Sequence, residues 1–132
     1  MITDKTKRKI ALFLKEFYQT ANVGAGGSST NPNANELDVP ILDPNVATTN
    51  AESSAATVDF AVSLTGSQLE GNTIREFGVF SATTPNDTNF DELRADGAYT
   101  AETTMLSRLN FEAIGPFANT DQIDIVLTVE VE

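Results

Sequence analysis

Residues 71–81, GNTIREFGVFS, decide how the rest of the chain is read. The stretch opens on a Gly-Asn turn and runs into the β-prone residues Ile74, Phe77, Val79 and Phe80. Arg75 and Glu76 fall in the middle of this apolar run. Charges in such a place must be paired or must face out of the sheet. Gly78, between two apolar residues, marks a bulge or the close approach of another backbone. The stretch therefore predicts a central strand carrying one feature that fixes its neighbours in place. No catalytic signal of comparable strength occurs elsewhere in the sequence.

Working outward, residues 55–65 alternate, with Val58, Phe60, Val62 and Leu64 on one side and Asp59, Ala61 and Ser63 on the other. That is the pattern of a half-buried strand. The short polar loop Thr65–Gly71 joins it to the central strand and predicts a hairpin. A third strand is expected over 104–112. Met105, Ser107, Leu109 and Phe111 lie on one side, opposite Leu106, Arg108 and Asn110, and Gly115-Pro116 turns the chain. Residues 122–132 give the clearest alternation. Ile123, Ile125, Leu127, Val129 and Val131 line one face; Asp124, Thr128, Glu130 and Glu132 line the other, with Val126 the exception. The acidic face discourages unwanted edge pairing. Between the second and third of these strands, residues 82–103 form a polar insertion bearing Asp87, Asp91, Glu92 and Asp96. Its spacing is not that of a calcium loop, so it reads as a solvated acidic loop pinned by Phe90, Leu93 and Tyr99.

Before the strands, residues 3–20 predict a helix capped by Thr3 or Asp4. Ile10, Phe13, Leu14, Phe17, Tyr18 and Ala21 follow helical spacing and make one apolar face. Such a stripe packs on its own core or, as the alternative, on a neighbouring subunit. Residues 22–54 contain Gly24, Gly26, Gly27, Pro32, Pro40 and Pro44. This composition favours turns and an extended path over ladders. GAGGSS is not a phosphate loop, because no strand precedes it and no Gly-Lys-Ser/Thr follows. The expected organisation is a helical arm over 1–21, an extended linker over 22–54 and a β-sandwich over 55–132. The fold class is mainly β: a small antiparallel β-sandwich with an N-terminal α-helix and a long extended linker.

The chain of 132 residues is the length of one domain and can bury about 68% of its unfolded surface. It has no cysteine, histidine or tryptophan. That removes disulfides, thiolate metal sites, the commonest general base and the commonest metal ligand. No enzyme activity, cofactor or metal site is expected. A carboxylate-based hydrolase has no acidic pair picked out for it. The net charge of −11 is uneven. Residues 1–15 carry five basic groups (Lys5, Lys7, Arg8, Lys9, Lys15) against Asp4, a balance of +4. The remainder carries −15 and should repel phosphate backbones, so no nucleic-acid partner is expected. The basic run is a solvated helix face or a contact for an acidic partner. Ile10–Leu14, the longest apolar run at five residues, falls far short of the roughly 20 that span a bilayer. No secretory h-region follows the basic start, and no membrane partner is expected.

Three stretches together resemble small structural domains of tailed bacteriophages, those of tail-fibre N-terminal domains and of baseplate or neck fibre-attachment proteins. ANVGAGGSSTNPNANEL at 21–37 is similar to a GxGxxxPxxxxxxL loop that follows an opening helix. GNTIREFGVFS at 71–81 is similar to a GxTIREhGLF strand, h being apolar. MLSRLNFEAIGPFANTDQIDIVLTVEVE at 105–132 is similar to an ending of the form LhSRxxFPPIxKT followed by alternation. The insertion over 82–103 and Gly115-Pro116-Phe117, in place of a lysine-bearing turn, depart from that pattern. The resemblance implies a virion structural protein: an adaptor that docks on the tail, baseplate or neck and holds fibres or spikes. It implies other virion proteins as partners and a homo-oligomer, with a trimer favoured. Ile10, Phe13, Leu14, Phe17 and Tyr18 are the expected interaction residues of the helix. Arg75, Glu76 and Arg108 are expected to form a cross-strand ion pair. A carbohydrate-binding β-sandwich, using Phe90, Tyr99 and the acidic loop, is the alternative.

Overall fold

A computed structural model of the chain describes residues 1–27, 36–54, 56–81 and 105–132. The elements run α1 (Asp4–Phe17), β1 (Tyr18–Gly24), β2 (Val46–Ala47), β3 (Thr49–Ser54), β4 (Thr57–Thr65), α2 (Gly66–Leu69), β5 (Ile74–Ser81), β6 (Met105–Ile114) and β7 (Gln122–Glu130). The strands build two antiparallel sheets, ordered β2-β1-β5-β6 and β3-β4-β7. The chain is mainly β with an N-terminal helix, a small β-sandwich.

The alternation over β4 and β7 translates directly into structure. Val58, Phe60, Val62 and Leu64 are buried, and the two strands pair from Thr57↔Glu130 to Thr65↔Gln122. Their opposite face carries polar links: the Ser63 hydroxyl bonds Asp124 Oδ1 at 2.6 Å, and the Thr128 hydroxyl bonds Asp59 Oδ1 at 2.7 Å. The other sheet contributes Ala21, Val23, Ile74, Phe77 and Val79 to the same core cluster.

Thr3 caps α1, its hydroxyl oxygen accepting the Thr6 N–H at 3.4 Å. The expected helix over 3–20 stops at Phe17, and Tyr18 begins a strand with no intervening loop. Asn50 of β3 holds this junction by donating to the Lys15 and Tyr18 carbonyls at 2.9 and 2.7 Å. The buried side of the helix is centred on Ala11 and Phe17, while Ile10 is exposed.

Two expectations are corrected. β4 and β5 do not form a hairpin; they belong to different sheets, and α2 carries the chain across. Thr65 and Gln68 make a capping box, which nucleates a helical turn where a hairpin would need a tight reversal. The ladder-free passage expected over 22–54 also fails. β1 lies between β2 and β5, and β3 pairs with β4. Between them, residues 36–45 run as a strap against β1, bonded by Ala25 N–H to Val39 O and Ile41 N–H to Val23 O, both at 2.9 Å. β1 hides from a pattern search because its residues are small, and they are small because both faces are covered.

Candidate interaction sites

The first site grows from Glu76. β5 is buried along nearly its whole length, with Arg75 exposed and Glu76 completely buried. Glu76 can lie there because Gly24 and Gly26 leave room for it. A Cβ on Gly24 would come within 2.6 Å of Glu76 Cδ, and one on Gly26 would collide with Glu76 Oε2 and Asp38 Cβ. Glu76 Oε1 accepts the Asp38 N–H at 2.6 Å. Asp38 in turn spreads its carboxylate: Oδ2 accepts the Gly27 N–H at 3.2 Å, and Oδ1 meets Arg108 Nη1 at 3.4 Å. Leu37, buried beside it, reaches to 3.1 Å from where a Gly78 Cβ would stand, so Gly78 marks a close approach.

Arg108 and Glu76 are therefore linked through Asp38 of the strap. In the ladder Glu76 faces Asn110, and Arg108 faces Gly78. The expected cross-strand ion pair does not form: Arg108 pairs with Asp38 of the strap, Glu76 accepts the Asp38 backbone N–H, and Arg75 stands apart with its carbonyl against Gly27. Asp38 escaped the sequence reading. The only signal for it was the requirement that a carboxylate inside an apolar strand find a donor.

Asn22 makes a second tie between strap and sheet. Its amide donates to Leu42 O at 2.8 Å and Asn45 Oδ1 at 2.9 Å. Its oxygen accepts the Val23 and Leu42 N–H groups at 2.8 and 3.0 Å. The strap is thus bonded to the sheet at points from Asp38 to Asn45.

The second site is the side of the sandwich where β6 and β7 end their sheets. Each is paired on one edge only among the described residues. Between them runs an open groove of about 290 Å³ lined by Ile74, Phe77, Leu109, Phe111, Ile123 and Ile125. Val126, Leu109 and Ile114 are exposed by 57, 46 and 45%. Leu109 lies opposite Phe77 in the ladder, so it shares the interior face, yet it is exposed. Asp124 edges this groove. Hydrogen bonds from Ser63 and then Gln122 hold its carboxyl below the usual aspartate range.

The helix residues separate into two groups. Phe17 is buried, stacked on Phe13 at 5.3 Å and edge-on to Tyr18 at 5.2 Å. Leu14 and Tyr18 pack on the core. Ile10 belongs to a first half of the helix that is largely exposed with Lys5, Arg8 and Lys9, as are Met1 and Ile2 before it. Arg8 bonds Glu52 of β3 at 2.9 Å, and that bond lowers the Glu52 pKa.

Phe90, Tyr99 and the acids of 82–103 lie outside the described residues. Among the described residues no group of three or more acidic side chains is placed to hold a metal, and no helix is long and apolar enough to cross a membrane. No protein-family model matches the chain, and no curated protein matches it.

Proposed function

We propose that the chain is a structural subunit of a tailed-bacteriophage virion. It is an adaptor that docks on the tail, baseplate or neck, carries fibres or spikes, self-associates (three copies being the favoured number) and performs no catalysis. The observation that carries the assembly reading is the exposed apolar surface at the β6/β7 side. Leu109, Ile114 and Val126 stand exposed beside two strand edges that lack partners among the described residues. Apolar surface next to free strand edges marks a protein-interaction site.

The phage reading is supported by how the three resembling stretches meet. Gly24 and Gly26 from the first, Glu76 and Gly78 from the second and Arg108 from the third converge around Leu37 and Asp38. The residues that carry the resemblance form one packed unit instead of being scattered over the surface. An adaptor benefits from such a unit, because a strap held by Glu76 and Asn22 presents a fixed surface to a partner.

Mass spectrometry of purified particles produced from the genome that encodes the chain tests this reading. The chain should be a stoichiometric virion component. Particles that are complete without it would overturn the reading.

A further inference from the structure

Two surfaces of this domain are bare, and they differ in charge. α1 packs on β3, β4 and β1, and none of its principal contacts is with β6 or β7. Its first half, bonded to β3 through Arg8, and the two residues before it leave Met1, Ile2 and Ile10 exposed among Lys5 and Lys9. Residues 1–15 carry +4, as counted above. The β6/β7 groove is bare and apolar within acidic surroundings. Residues 105–132 hold five acidic groups (Glu112, Asp121, Asp124, Glu130, Glu132) and one basic group, Arg108, a balance of −4. Arg108 is engaged by Asp38.

We propose that the exposed face of the N-terminal arm of one copy, residues 1–10, seats in the β6/β7 groove of the next copy. The inference rests on the assembly reading above and names the partner of that surface. Charge selects this occupant. A groove-to-groove dimer would bring two Asp124 carboxylates of like charge together, whereas arm-to-groove contact brings opposite charges together around apolar centres. Ile2 and Ile10 meet Leu109, Ile114 and Val126, and Lys5 and Lys9 meet Glu112 and Asp124. Donor and acceptor surfaces are different patches on one molecule, so the contact is heterologous. Repeated head to tail, it closes into a ring or extends into a filament. A ring fits a subunit placed around a symmetric tail.

Sedimentation of the full chain over a concentration series, at low and high salt, tests the contact. The wild type should form species whose mass is a multiple of 14.1 kDa, weakened by salt. The arm variant Lys5→Glu/Lys9→Glu should raise the dissociation constant on the order of tenfold or more. Adding Glu112→Lys/Asp124→Lys to that variant should restore association. Val126→Lys should abolish assembly, and circular dichroism will show whether each variant keeps its β-fold. A wild type that stays at 14.1 kDa throughout would overturn the proposal. So would an oligomer indifferent to the arm variant, or folded charge-swapped protein that fails to reassociate. If the chain is found in particles yet sediments as a monomer, the virion reading stands and this contact falls. Salt-sensitive rings from a chain absent from virions would give the reverse.

Discussion

Glu76 is the residue on which the placement of the strap turns. One carboxylate oxygen accepts the Asp38 N–H; Oε2 is buried without a hydrogen-bond partner. An amide retains the acceptor that matters, so Glu76→Gln should change stability by less than about 1 kcal/mol. Glu76→Ala loses both the acceptor and buried volume and should cost about 2–4 kcal/mol in urea unfolding. Gly24→Ala and Gly26→Ala press a methyl group against this carboxylate or the strap and should each cost about 1–3 kcal/mol. If Glu76→Ala unfolds no earlier than Glu76→Gln, the latch is not what holds the strap. The need for a buried partner could be read from Arg75-Glu76 standing in an apolar strand. Which partner it would be could not, because Asp38 is 38 residues away and offers its backbone. A main-chain donor has no residue-type signature.

At the scale of elements, what was legible follows how each strand is covered. β4 and β7 have one solvated face, so their burial alternates and their sequences alternate with it. β1 is packed on both faces and uses Ala21 and Gly24 where larger side chains would collide. β3, TNAESS, ends its sheet and is largely exposed, so it had no apolar pattern to show. The crossover between sheets was announced by Thr65 and Gln68, whose spacing is that of a capping box. The basic helix was legible, but its last turns were not. Tyr18 and Ala21 suit the helical stripe and equally suit a buried strand, and β5 captures them through pairing with Ser81 and Val79. Two polar side chains hold these less regular elements. Asn22→Ala removes three hydrogen bonds to the strap and one to the Val23 N–H, and should cost about 2–3 kcal/mol, with faster amide exchange at Leu42. Asn50→Ala frees two carbonyls at the α1–β1 junction and should lower the melting temperature without loosening the strap. Equal loosening of the strap in both variants would contradict this division.

For the whole molecule, charge sorts function from stability. The half-buried Glu52 and the exposed Asp124 both titrate below their ordinary range, the first through Arg8 and the second through Ser63 and Gln122. A depressed folded-state pKa gives stability that is present above the unfolded value and lost as pH falls through the folded one. Acidification should therefore remove these contributions below the ordinary carboxylate range, leaving them intact at neutral pH. Ser63→Ala should move the Asp124 titration upward in NMR, and its stability difference from the wild type should vanish at low pH. A titration midpoint that does not move would show that Ser63 is not the cause.

Against this local background, the basic arm and the apolar groove edged by Asp124 are the features proposed to reach beyond one copy. Their joint role is tested most directly by hydrogen–deuterium exchange of the full chain, compared between dilute and concentrated solution. Concentration-dependent protection should appear, confined to residues 2–10, 109–114 and 122–126. Exchange at those three segments that is identical at every concentration would contradict it.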